Sequence, residues 1–99
     1  GPYLNVRGVV QMLAGEYKLA LATFQENIDR GGPVATPVLC YSAAAHAGLG
    51  HPVEAAEYAA RLRTEFPGFS IAGWNHLELI RDPVVRDRLV ELMCAAGVP

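Results

Sequence analysis

At 99 residues, with a formal net charge of −2 and a sequence pI near 5.9, the chain is one small domain without the basic excess a nucleic-acid footprint needs. Hydrophobic residues make up 52% and charged ones 18%, and mean hydropathy is +0.19, which is rich for a free-standing domain of this size. No apolar run reaches the ~18 residues of a membrane span, so the excess is expected to line a groove, an end, or a surface covered by a partner.

Gly1-Pro2 reads as the scar left by a tag-cleaving protease. The chain is accordingly expected to be part of a longer protein, ending at or near that protein's own C-terminus. Residues 3–99 are read as a single domain. Tyr3 to Ala14 form the first expected helix, with Leu4, Val6, Val9, Val10, Met12 and Leu13 spread nearly all round it. Such a helix is covered on more than one side. Gly15 stops it, and Glu16 opens the second helix, where a carboxylate suits the positive end of the dipole. Ala20, Phe24 and Ile28 then fall at i, i+4 and i+8, one stripe on one face. Arg30-Gly31-Gly32-Pro33 closes this helix, and Thr36-Pro37 restarts the chain as cap and first helical residue.

The third helix is expected to run to about Ala47, with Leu39, Ala43, His46 and Leu49 on one face. Three consecutive alanines, Ala43 to Ala45, mean that another backbone comes very near. Gly48-Leu49-Gly50 breaks the helix, and His51-Pro52 opens the fourth, with Glu54 in its first turn and a stripe of Ala55, Ala59, Leu62 and Phe66. Pro67-Gly68 ends it. A fifth helix is expected from Ser70 as N-cap, with Phe69 stapled on Trp74 and with Ile71, Trp74 and Leu77 on one side. Asp82-Pro83 opens the sixth, striped with Val85, Leu89, Leu92, Met93 and Ala96 and stopped by Gly97 and Pro99. No run alternates as a strand does. The expectation is an all-α domain of six helices in three antiparallel pairs.

The pair Gly15 and Ala20 returns thirty-five positions on as Gly50 and Ala55, and Leu4 returns as Leu39. This resembles the tetratricopeptide repeat, a helix–turn–helix unit of about 34 residues. The first unit, about 3–34, has Leu4, Gly8, Gly15, Tyr17, Ala20 and Phe24 at matching places. Gln11 stands where the family has Tyr, and the closing Pro is displaced to Pro33. The second unit, 36–69, has Leu39, Ala43, Gly50, Ala55 and Pro67, with His46 in the Tyr place. The third, 70–99, has Trp74 and Leu77, but Glu78 replaces Gly and its second helix starts early. That suits an atypical, C-terminal capping unit, whose outer face here would be polar with Arg86, Asp87, Arg88 and Glu91. The resemblance implies a tetratricopeptide-like array of antiparallel hairpins wound as a right-handed superhelix.

The closing segment carries a second resemblance, in Pro67-Gly68-Phe69-Ser70-Ile71, Asp82-Pro83, Arg86-Asp87-Arg88-Leu89 and Ala95-Ala96-Gly97-Val98-Pro99. It is similar to the end of helical-repeat domains attached to bacterial adenylate or guanylate cyclases, and to repeat domains of some bacterial transcription regulators. This implies a regulatory module of a cytoplasmic bacterial signalling protein, with no catalytic segment of its own.

The polar residues point to no catalytic, metal or cofactor site. His46 and His51 straddle a turn, no Cys-x-x-Cys or His-Glu-x-x-His occurs, and converging ligands are what such a site needs. His46 reads as a packing residue with one hydrogen bond, and His51 as a helix cap. Glu54, Glu57, Asp87 and Glu91, with Arg61, Arg63, Arg86 and Arg88, read as solvated faces. Gly31-Gly32-Pro33 lacks the Lys-Ser/Thr of a phosphate loop. Cys40 and Cys94 read as small buried hydrophobes, with a disulfide as the alternative.

By analogy to the family, an inner binding face would hold Asn5, Val9, Met12, Cys40, Ala44, Ala47, Asn75 and Leu79. It is mostly small and apolar. The family's clamp for a terminal carboxylate is absent, because only Asn5 of it is present. A hydrophobic helix, or the protein's own upstream segment, is the expected occupant. Val6 and Val10 on the N-terminal helix are the expected self-association residues. The functional expectation is a non-catalytic protein–protein interaction domain whose partner is a protein or peptide, with no nucleic acid and no membrane insertion. The alternative is a homodimerisation module that brings attached catalytic or DNA-binding domains together.

Overall fold

A computed structural model describes residues 2–31, 36–74, 77 and 80–99, with side chains from residue 7 in the first helix and from residue 38 in the third. Its helices are α1 (Pro2–Leu13), α2 (Tyr17–Asp29), α3 (Thr36–Gly48), α4 (Pro52–Glu65) and α5 (Pro83–Ala96). No described residue lies in a strand.

Three of these helices end on one kind of cap. Gly15, Gly50 and Gly97 adopt φ of 82°, 76° and 92°, the left-handed region that a side chain resists. After α1, the Gly15 N–H donates to the Met12 carbonyl at 3.1 Å and the Glu16 N–H to the Gln11 carbonyl at 2.9 Å. After α3, Gly50 donates to Ala47 at 3.2 Å and His51 to His46 at 2.8 Å. After α5, Gly97 donates to Cys94 and Val98 to Met93, both at 3.0 Å. In each case two carbonyls that the helix end would leave orphaned are satisfied. At the start of α5, Asp82 Oδ1 accepts from the N–H groups of Val84 at 2.9 Å and Val85 at 3.4 Å, and Pro83 follows the cap.

The caps return the chain so that α1 packs along α2 and α3 along α4. α3 is the centre: α4, α5 and α2 all pack on it, and α1 touches it more lightly. Every residue from Val38 to Ala45 is buried. Tyr41 lies between Phe24 of α2, stacked at 6.2 Å, and Trp74, edge-on at 5.9 Å. Two glycines let aromatic rings lie directly on helix backbone. A Cβ on Gly8 would come within 2.4 Å of the Phe24 ring, and one on Gly48 within 2.6 Å of the Tyr17 ring.

The expected fifth helix does not form among the described residues. Ala72 and Gly73 form a turn, Leu77 is in 3-10 conformation, and i→i−3 hydrogen bonds run from Trp74 to Ile71, Leu77 to Trp74 and Ile80 to Leu77, at 3.1 to 3.2 Å. Ser70 still caps, its Oγ accepting from the Gly73 N–H at 3.2 Å, and Phe69 still meets Trp74, at 5.8 Å. Gly73 lowers helix propensity in the first turn of this segment, and Pro83 holds Asp82 in extended backbone. The Ile71 N–H instead donates to the Pro99 carbonyl at 3.0 Å, which ties the segment to the chain end.

Truncating Phe24 to Ala is expected to cost about 3–5 kcal/mol, as for other buried aromatics. Gly8→Ala is expected to cost about 1–3 kcal/mol, because the new methyl must displace that ring. Urea denaturation checks both. An unchanged midpoint for Gly8→Ala would mean that the ring does not rest on the α1 backbone.

Candidate functional site

The face expected to bind a partner is not an open groove where it crosses α3. Cys40 and Ala44 have no accessible surface, Met12 is buried, and Val9 and Ala47 are half-buried. The reason is that neighbours enclose α3 on every side. The Asn5 side chain and residues Asn75 and Leu79 lie outside the described residues, as does the Val6 side chain. Val10, by contrast, is 61% exposed. The repeat residues have structural places: Gly15 and Gly50 cap helices, Ala20 and Ala55 are buried, and Gly8 receives the Phe24 ring. Pro67 is exposed at the end of α4 and Trp74 is half-buried.

Surface chemistry concentrates at two places on the rim of the α3 core. The first is a half-open cavity of about 260 Å³ between the α1–α2 turn and α5, with Met12, Leu13, Val85, Leu89 and Leu92 in its walls. At its mouth Arg88 Nε donates to the Tyr17 hydroxyl at 2.8 Å, and the guanidinium lies 6.0 Å from the ring centroid. That hydrogen bond pushes the Arg88 pKa further up, so one fixed cation stands beside an apolar floor.

The second is the turn between α3 and α4. The cap at Gly50 brings two flanking side chains together, and here both are imidazoles. His46 Nδ1 and His51 Nδ1 are 3.2 Å apart. Glu54, one turn into α4, adds a carboxylate, and one donor atom from each of the three residues lies within 4.8 Å of the others. His46 is half-buried and stacked on Tyr58, with ring centroids 5.5 Å apart and planes at 19°. Burial lowers its pKa, helped by His51 and opposed by Glu54 and Glu57. His51 makes no side-chain cap bond for α4; its ring turns to His46 instead. Two nitrogens this close either share a proton or aim both lone pairs at one cation. Motif reasoning passes over this pair, because the residues are five apart with no familiar spacing. The usable signal was Gly50: a left-handed cap sets the side chain four residues before it against the one just after it.

The cysteines divide. Cys40 is buried, and desolvation pushes its thiol up to about 12. Cys94 is exposed, contrary to the expectation that both are buried, and neither is in a disulfide. No helix among the described residues is long and apolar enough to cross a membrane. No protein-family model, curated protein or solved structure shows a significant match to this chain.

A thiol reagent such as a maleimide is expected to label Cys94 quickly in the native chain and Cys40 only after unfolding. Mass spectrometry counts the labels. Rapid double labelling under native conditions would contradict the enclosure of α3.

Proposed function

We propose that the chain is a non-catalytic protein–protein interaction domain, built as a tetratricopeptide-like array of helical hairpins with α5 as its cap. The observation that carries the reading is the identical cap at Gly15 and Gly50, thirty-five positions apart, each followed by a buried alanine, Ala20 or Ala55. A repeat of one hairpin in both sequence and backbone is how arrays of this kind are assembled. In this reading the contact surface is the cavity beside α5. Its occupant is an amphipathic partner helix that inserts an apolar side chain against Leu89 and Leu92 and offers a carboxylate to Arg88. The resemblance in residues 67–99 extends the proposal to context: a regulatory module of a cytoplasmic bacterial signalling protein, such as a nucleotidyl cyclase.

A displayed library of helical peptides tests the surface. Selected binders are expected to share an acidic residue near an apolar i, i+4 pair. They should lose about tenfold or more in affinity for Leu92→Asp, a half-buried wall position, with the circular dichroism unchanged. Binders indifferent to Leu92→Asp and Arg88→Glu would contradict it.

The exposure of Val10 favours a second reading, self-association through α1. Light scattering should then show mass rising with concentration in the parent chain and a monomer in Val10→Lys. A parent that stays monomeric throughout would refute this reading.

A further inference from the structure

The α3–α4 turn differs from the other two caps in what it places at the surface. After α1 the flanking pair is Gln11 and Glu16; after α5 it is Met93 and Val98, both buried, which is the apolar contact such caps usually carry. After α3 the pair is His46 and His51. We propose that His46, His51 and Glu54 form a binding site for one divalent transition-metal ion of the zinc class.

The spacing fits that ion. Zinc–imidazole bonds are about 2.0–2.1 Å, so two nitrogens 3.2 Å apart subtend roughly 100° at a shared ion, close to the tetrahedral angle. Glu54 is exposed, and a change of rotamer closes the remaining gap from within 4.8 Å. Two imidazoles and one carboxylate leave the fourth position to water. Binding requires both rings to carry their proton on Nε2, so the proton between the two Nδ1 atoms moves to an outer nitrogen.

Three further features favour a cation here. The first is preorganisation: the cap fixes both backbones, and the Tyr58 ring holds the plane of His46. The second is the field of nearby carboxylates, because Glu57 stands close to His46 in addition to Glu54. The third is donor type: mixed nitrogen and oxygen donors suit zinc and its neighbours and disfavour magnesium and calcium, which prefer oxygen alone. An ion bound here would clasp the end of α3 to the start of α4, independently of what the cavity beside α5 holds.

Isothermal titration of the chain with zinc chloride tests the site. One ion per chain is expected, with no binding of magnesium under the same conditions. His51→Ala, an exposed position, should weaken binding by more than the ~10–100-fold that loss of even an outer-shell partner costs. Glu54→Gln should weaken it less. His76→Ala and Cys94→Ser should leave it unchanged, which separates this site from the remaining histidine and the exposed thiol. Saturating zinc should also raise the melting temperature of the parent and not of His51→Ala. Zinc affinity unaltered by His51→Ala, or a parent that binds no zinc at a hundredfold excess, would overturn the proposal.

Discussion

The fold depends on covering α3 from every side. An amphipathic surface helix hides one stripe, but from Val38 to Ala45 this one hides its whole circumference. Small side chains make that possible. Ala43, Ala44 and Ala45 have no accessible surface, and they let neighbouring helices approach the α3 backbone closely. Tyr41 then fills the larger gap between Phe24 and Trp74. Burial raises the Tyr41 pKa further, with Cys40 beside it, so the hydroxyl stays neutral in the interior. The enclosed stretch from Val38 to Ala45 has no surface to offer a partner, and the chemistry of the domain is displaced to its edges: the outer side of α1, the cavity beside α5 and the turn after α3.

Those edges are set by the glycine caps. Among the described residues one backbone device with both its hydrogen bonds recurs after α1, α3 and α5, and the residues flanking it differ each time. Met93 and Val98 seal the end of α5. Gln11 is drawn into a side-chain hydrogen bond, with Thr23 Oγ1 donating to its Oε1 at 2.6 Å, which links α1 to α2. His46 and His51 make a pair of metal-ligand type. The architecture is shared while the side chains vary, so a site can be grafted on a turn without disturbing the core.

Much of this was legible in the residues. Gly15, Gly50 and Gly97 mark helix ends because their conformation is costly for other residues, and Asp82-Pro83 marks a start because it caps with its own carboxylate. The stripe of Ala20 and Phe24 and the close approach at the alanines were readable from period and size. Among the described residues the expected fifth helix gives way to a turn at Ala72-Gly73 and i→i−3 hydrogen bonds, because the apolar spacing of Ile71, Trp74 and Leu77 suits that tighter winding as well as an α-helix. Cys94 was misread because α5 packs one face only, and its register on α3 is a tertiary fact. The enclosure of α3 depends on how α5 folds back across it, which no local pattern encodes.

Native-state amide hydrogen exchange tests the central place of α3 most directly. The amides from Leu39 to Ala45 are expected to exchange only through global unfolding, with opening free energies equal to that from chemical denaturation, while the described amides of α1 open at lower cost. Exchange of the α3 amides through a cheaper local opening, with α1 or α5 amides outlasting them, would contradict the account.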